Sequence, residues 1–184
     1  MIGHKIYNLA EVDSTNTYAA KLAVDGVPDG TVVVSECQTA GRGRFGRKWE
    51  SPPGVNIYLS VILRPDIPPA ETPLITLAAS TALTRALRGL YNLPAAIKWP
   101  NDVLINGRKM SGILTEMSSG PDRVRHVILG VGIDVNMPAG SFPEEIRGIS
   151  TSVMLELGRE VDRAVLLRRF LEEFEEDYGH LLKG

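Results

Sequence analysis

Cysteine is almost missing from this sequence. Cys37 stands alone among 184 residues, so no intramolecular disulfide framework can form, and a reducing, cytoplasmic setting suits the chain. Histidine is scarce too: His4, His126 and His180, with one cysteine, assemble no zinc-finger or zincin spacing. No run of ~18 apolar residues occurs, so no membrane-spanning helix is expected. The first twelve residues mix His4, Lys5, Asn8 and Glu11 among apolar ones, unlike a secretory signal. Neither charge sign dominates, with 20 Lys and Arg against 22 Asp and Glu. That balance speaks against a dedicated nucleic-acid binder and leaves any useful positive charge to act locally. The apolar share is 43%, which excludes intrinsic disorder. One well-buried domain over residues 1–184 is expected.

What is present reads as intermixed strands and helices. Asn16–Val24 reads as a short helix capped by Ser14 or Thr15 and stopped by Gly26. Thr31–Cys37 and Ile57–Leu63 have strand composition, and Gln38–Pro53 between them reads as a loop. Thr72-Pro73 opens a helix running from Leu74 to about Leu90. Asn106-Gly107 sits between Val103–Ile105 and Lys109–Glu116, the pattern of a tight hairpin whose two central residues need positive φ. Val127–Val135 is a further strand. A short helix is expected after Pro143, running through Met154 to a stop at Gly158. Asp162 then caps an amphipathic helix with Leu166, Phe170, Phe174 and Tyr178 on one face. Strict βαβ alternation is lacking, so the expected class is α/β (α+β), a mixed sheet flanked by helices.

Four segments carry chemistry. Gly41-Arg-Gly-Arg-Phe-Gly-Arg-Lys-Trp49 packs Arg42, Arg44, Arg47 and Lys48 among three glycines. Such a loop can wrap an anion with backbone N–H groups and guanidinium forks. Its cations repel one another, which suits a flap that orders on a ligand. The embedded G-x-G-x-x-G does not signal a dinucleotide fold, because Pro52, Pro53 and Gly54 prevent the helix that must follow. Ala96-Ile97-Lys98 imitates a kinase lysine, but no H-R-D or D-F-G motif accompanies it. Lys98-Trp-Pro-Asn-Asp102 offers a cation, an amide and a carboxylate at a sharp turn, with Trp99 expected in the core. Lys109 follows the hairpin turn. Gly130-Val-Gly132-Ile-Asp134-Val-Asn136 alternates so that Gly130, Gly132, Asp134 and Asn136 share one face, an open polar track where a ligand can approach the backbone.

Together these segments resemble the biotin protein ligases in order and spacing. Asp13-Ser-Thr-Asn16, Gln38, Gly41–Trp49, Ser51-Pro52, Tyr58-Leu-Ser60, Lys98–Asp102, Gly107–Leu114 with Glu116, and Gly130–Asn136 carry the likeness. The resemblance implies a catalytic fold related to class II aminoacyl-tRNA synthetases and a two-step reaction. ATP with Mg2+ would activate biotin to its adenylate, which would then acylate a lysine of a biotin carboxyl carrier domain. It assigns Lys109, Arg44 and Arg42 to catalysis. Ser14, Thr15, Asn16, Gln38, Gly41, Arg42, Gly43, Arg44, Tyr58, Ser60, Lys109 and Gly112 would hold biotin. Arg44, Arg47, Trp49, Lys98, Asn101, Asp102, Lys109, Gly132, Asp134 and Asn136 would hold ATP, with Mg2+ near Asp102.

The resemblance implies neither nucleic acid nor membrane as a partner, and it allows a homodimer. A lipoate or octanoate ligase of the same fold is the alternative enzyme, and an inactive biotin-binding module the alternative outside catalysis. Two departures set further expectations. Asp134 stands where the family commonly has Asn; a carboxylate only accepts and is charged beside ATP, so Asp134→Asn is expected to tighten nucleotide binding. The chain begins without the winged helix of the repressor members and ends at Gly184 where relatives continue into an SH3-like domain. Repression is therefore not expected, and inefficient transfer of the adenylate is.

Overall fold

The computed structural model describes residues 1–183. Seven strands form one sheet in the order β1-β2-β3-β7-β6-β5-β4. They are β1 (Ile6–Leu9), β2 (Thr31–Ser35), β3 (Ile57–Leu63), β4 (Ala95–Lys98), β5 (Asp102–Ile105), β6 (Arg108–Ser119) and β7 (Val124–Ile133). Only β1 and β2 run parallel, so the sheet is mixed, as the lack of βαβ alternation implies. Five helices accompany it: α1 (Thr15–Val24), α2 (Thr72–Tyr91), α3 (Glu144–Arg147), α4 (Val153–Leu157) and α5 (Arg163–Leu181).

Strand alternation sorts the sheet into two faces. Leu59, Val61 and Leu63 of β3 and Val127, Leu129, Val131 and Ile133 of β7 turn toward the main core, which α2 and α5 close. On α5, Phe170 and Phe174 are fully buried and their rings stack with centroids 6.0 Å apart. Burial of such a side chain stabilises the fold by roughly 1.5–3 kcal/mol. The residues in between face α1, where Ala19, Ala23, Val33, Ile62 and Ile128 form a smaller cluster. That second face bears the site.

Local chemistry accounts for most boundaries. Asp162 accepts from the Ala164 N–H at 2.8 Å and starts α5. Asn106 and Gly107 take φ values of 50° and 78° in the β5–β6 turn, where the missing Cβ of Gly107 makes that conformation free of strain. Elsewhere the structure differs from the sequence reading. α2 starts at Thr72 with Glu71 in the cap position, and the Thr72 hydroxyl turns to Met117 Sδ. The helix expected from Pro143 to Gly158 is two short ones, because Ser150 between them bridges to Lys109 as an added strand position. β1, a half-exposed edge strand, has no apolar alternation that would have marked it. Trp99 is not in the core: it is 79% exposed, on the turn between β4 and β5.

Candidate active site

Glycine and serine cut a trough into the α1 face of the sheet. Gly112 pairs with Gly132, and Ser60 with Gly130, across neighbouring strands. The trough admits no larger side chains. A Cβ on Gly130 would lie 2.1 Å from Asn16 Oδ1, and one on Gly132 2.5 Å from the Trp49 ring. The backbone is thus bare where other groups must reach it.

The first turn of α1 closes one end. Ser14, Thr15 and Asn16 are buried, and the side chains of Thr15 and Asn16 are hydrogen-bonded. Ser60 Oγ bonds to Thr15 Oγ1 at 2.8 Å and Asn16 Oδ1 at 2.6 Å. Gln38 Oε1 accepts from the Thr15 N–H at 2.9 Å, and its amide donates to Ser51 Oγ at 2.9 Å. Asn16 Nδ2 donates to Glu116 Oε2 at 2.7 Å. The net holds donors and acceptors in fixed orientation, as a ligand with both kinds of polar group requires.

The loop predicted at Gln38–Pro53 folds back on itself into a flap. Arg42 bridges to Lys48, Gly43 N–H donates to Arg47 O at 2.7 Å, and Trp49 N–H to Gly41 O at 2.9 Å. At the tip Phe45 takes φ 58° and is 87% exposed, a conformation that costs a bulky residue roughly 1 kcal/mol or more. The cations are largely tied down. Arg42 pairs with Glu116 at 3.0 Å, Lys48 with Glu50 at 2.9 Å, and Arg44 donates to Asn101 Oδ1 at 2.8 Å. Arg47 has no ion pair among the described residues. Trp49 lies against Gly112 and Gly132, and its buried indole N–H has no partner among the described residues.

Three cavities touch the flap, one of them, about 300 Å³, only at Arg44; the other two make the site. A small one, about 50 Å³, is lined by Ser14, Thr15, Asn16, Gln38 and the trough glycines. A large one, about 650 Å³, is lined by Arg47, Lys98, Asp102, Asp134 and an apolar group around Phe142 and Ile146. Gly43, Arg44, Trp49, Asn101 and Lys109 line both. Lys109 is pinned from outside the hairpin: its N–H donates to Ile149 O and its carbonyl accepts from Thr151 N–H, both at 2.8 Å. Its ammonium lies 2.7 Å from Asp102 Oδ1 and 5.4 Å from the Trp49 ring centroid.

The structure thus brings most of the sequence-selected residues together, with exceptions. Tyr58, Ser60 and Gly41 are not in either lining. Tyr58 OH bonds to Pro52 O at 2.9 Å, with burial pushing the phenol well above its ordinary value, and Ser60 supports the small cavity from beneath. Asn136 turns away, because β7 ends at Ile133 and the expected alternation ends with it. Its amide donates to Val161 O and accepts from Val161 N–H. Asp134 is not a free charge but a buried carboxyl that accepts from Asn56 Nδ2 at 2.8 Å. Burial pushes it well above the carboxylate range, against the opposing pull of Lys109. Sequence reasoning missed Glu116 as a partner of Arg42, and the segment 149–151 that fixes Lys109. Glu116 could have been suspected as the one acid in β6. Nothing in Ile-Ser-Thr marked the segment.

Comparison with known proteins shows the family. The profile described as the Biotin/lipoate A/B protein ligase family matches residues 9–134. The chain is 46% identical over 175 residues to the bifunctional ligase/repressor BirA of Bacillus spizizenii, covering 95% of this chain and 54% of that one. It is 39% identical over 173 residues to the biotin--[acetyl-CoA-carboxylase] ligase of Mycobacterium tuberculosis, covering 91% of this chain and 61% of that one. Among solved structures, the biotin protein ligase of Aquifex aeolicus in complex with biotin and ATP superimposes with a TM-score of 0.83 at 33% identity, over 98% of this chain and 72% of that one. The chain spans roughly half the length of the Bacillus relative.

Proposed function

The chain belongs to the biotin/lipoate A/B protein ligase family, and from that premise we propose that it activates biotin with ATP and passes the biotinyl group to a lysine of a biotin carboxyl carrier domain. One observation carries the reading: Lys109, with Arg44 and Asn101, stands in the wall common to both cavities. Biotin fits the small cavity by chemistry, since its ureido ring needs the donors and acceptors of Ser14, Thr15, Asn16 and Gln38. ATP fits the large one, whose lining joins cations to an apolar surface.

In the first step a biotin carboxylate oxygen bonds to the α-phosphorus, the bond to pyrophosphate breaks, and pyrophosphate leaves with the electron pair. Both reactants are anions. The Lys109 ammonium between them offsets their repulsion and the charge that builds in the transition state. Arg44 adds a second cation at the same wall. In the second step the acceptor amine attacks the acyl carbon, loses a proton, and AMP departs. Until then the flap keeps water from the mixed anhydride. Among the described residues no three His, Cys, Asp or Glu side chains gather as a metal site. Mg2+ would enter with the triphosphate and neutralise phosphate charge, with Asp102 as the side chain to hold it.

The small cavity is far below the ~300 Å³ at which ligand pockets usually begin. Biotin entry therefore needs the flap to lift Trp49 or Arg42. Incubation with biotin, ATP and a carrier domain tests the proposal. One biotinyl group on one carrier lysine, by mass, supports it; modification with lipoate in place of biotin would transfer the assignment to the lipoate ligases.

A further inference from the structure

Lys109 stands where the β5–β6 ladder is irregular. Leu104 pairs with Lys109 but Val103 with Ser111, so Met110 is an extra residue without a partner on β5. Such a bulge bends the strand and disrupts the ladder locally. β7 gives no support on the other side, because its pairing with β6 begins at Ser111. Ser150 takes that place instead, bridging to Lys109, while Ile149 O and the Thr151 N–H grip the Lys109 backbone. The position of the lysine therefore depends on what holds residues 149–151 against β6.

Glu156 on α4 is placed to do this. Its side chain is 4% exposed, and its carboxylate accepts from three donors. Oε1 accepts from the Thr151 hydroxyl at 2.5 Å and from Arg108 Nη2 at 2.7 Å, and Oε2 from Asn106 Nδ2 at 2.8 Å. Burying an acid this deeply is costly unless such donors satisfy it. They surround Lys109. Arg108 precedes it in β6, Asn106 opens the turn before that, and Thr151 supplies the N–H that bonds its carbonyl. The contacts close a ring from Lys109 through Thr151, Glu156 and Arg108 back to Lys109. Its base is fixed as well: Met154 N–H donates to Val135 O at 2.8 Å, and the capping Ser152 hydroxyl to Met137 O at 2.8 Å. Glu156, Thr151 and Arg108 line neither the small nor the large cavity.

We propose that Glu156 is a positioning residue for adenylate formation: through Thr151 and Arg108 it fixes the backbone from which the Lys109 ammonium reaches the wall shared by the two cavities. The proposal rests on the reading of Lys109 as the cation between biotin and ATP. Asp102 holds the ammonium end of the side chain, and Glu156 holds the root. A misplacement of about 1 Å at a reacting centre can cost on the order of a hundredfold in rate. The cavity walls that bind the two substrates do not include Glu156, so its loss should appear in turnover and not in affinity.

Biotin-dependent pyrophosphate exchange by the full chain tests this, with kcat and KM read separately. E156A removes all three bonds, and its kcat should fall about tenfold or more while KM for biotin and for ATP moves about threefold or less. T151V keeps the shape of the side chain but loses the hydroxyl donor, and should lose about threefold or more in kcat. T151S, which keeps that donor, should recover most of the wild-type kcat. Melting profiles and calorimetric biotin titrations report folding, and where E156A does not fold the T151V and T151S pair decides. A wild-type kcat in folded E156A or in T151V, a loss carried by KM alone, or a T151S as slow as T151V would overturn the proposal and leave the role of Lys109 in place. Wild-type protein without biotin-dependent exchange would overturn the reading of Lys109 and the proposal with it.

Discussion

The ammonium of Lys109 and the carboxylate of Asp102 face each other across the β5–β6 pair, Nζ 2.7 Å from Oδ1. Both are partly open to the cavity, so the pair holds the lysine in place without burying it. A ligand anion arriving beside it finds a cation already aimed. Lys109→Ala should therefore abolish adenylate formation while leaving the fold intact. Loss of one such charge-assisted contact costs about 3 kcal/mol or more in the transition state, a hundredfold or greater slowing. Lys98 lines only the large cavity, and Lys98→Ala should slow the reaction less. Steady-state rates for the two variants, with circular dichroism for folding, decide the ranking.

The flap should be guarded by its ligands. Arg42 and Glu116 are both near half exposed, so their pair holds the closed flap weakly, by about 1 kcal/mol or less. Trypsin should cut after Arg42, Arg44 or Arg47 in the free protein and much more slowly once biotin and ATP are bound. Glu116→Ala should speed cleavage of the free protein. Equal rates with and without ligands would count against a moving flap.

Gly130→Ala probes the trough. Its Cβ would lie 2.1 Å from Asn16 Oδ1, and Asn16 is held on its other side by Ser60 and Glu116. Relief of the overlap must displace the first turn of α1, at a cost of roughly 1–3 kcal/mol. Biotin affinity should drop tenfold or more while the ATP analogue binds with little change. Paired titrations would show it.

Phe174→Ala should act on stability alone. The ring is fully buried in the main core, on the face opposite the site. A loss of 3–5 kcal/mol is expected, with biotin affinity unchanged below the new melting temperature. Chemical denaturation and a biotin titration on the same sample separate the two.

Asp134 also predicts how stability varies with pH. Its carboxyl titrates higher folded than unfolded. Its contribution is therefore complete below the ordinary carboxylate range and is lost as pH rises through the folded value. Asp134→Asn removes that loss, so the variant should melt higher than wild type, with a gap that widens toward alkaline pH. A constant gap would mean that folding does not raise the titration of Asp134.

Local signals made much of this legible. The Asn106-Gly107 turn, the Asp162 cap and the apolar face of α5 each follow from a few adjacent residues, and each stands where those residues put it. The glycine-arginine flap could be picked out because its composition is costly without a ligand, whereas Lys109 stood out only through the resemblance of its motif to the family's. What the sequence hid depends on contacts distant along the chain. Trp99 looked like core but stands exposed on the turn between β4 and β5. Asp134 read as a charge beside ATP, and only Asn56, 78 residues earlier, shows it as a buried acid. Asn136 shared the period of Gly130 and Gly132, but the strand ends before reaching it. The grip of residues 149–151 on Lys109 has no local signature.

The central claim is that biotin and ATP react at the wall where Lys109 stands. Biotin-dependent exchange of labelled pyrophosphate into ATP reads that step alone, without a carrier protein. Exchange should require biotin, should not be supported by lipoate, and should vanish in Lys109→Ala. Exchange that is absent with biotin, or that survives intact in a folded Lys109→Ala protein, would contradict the account.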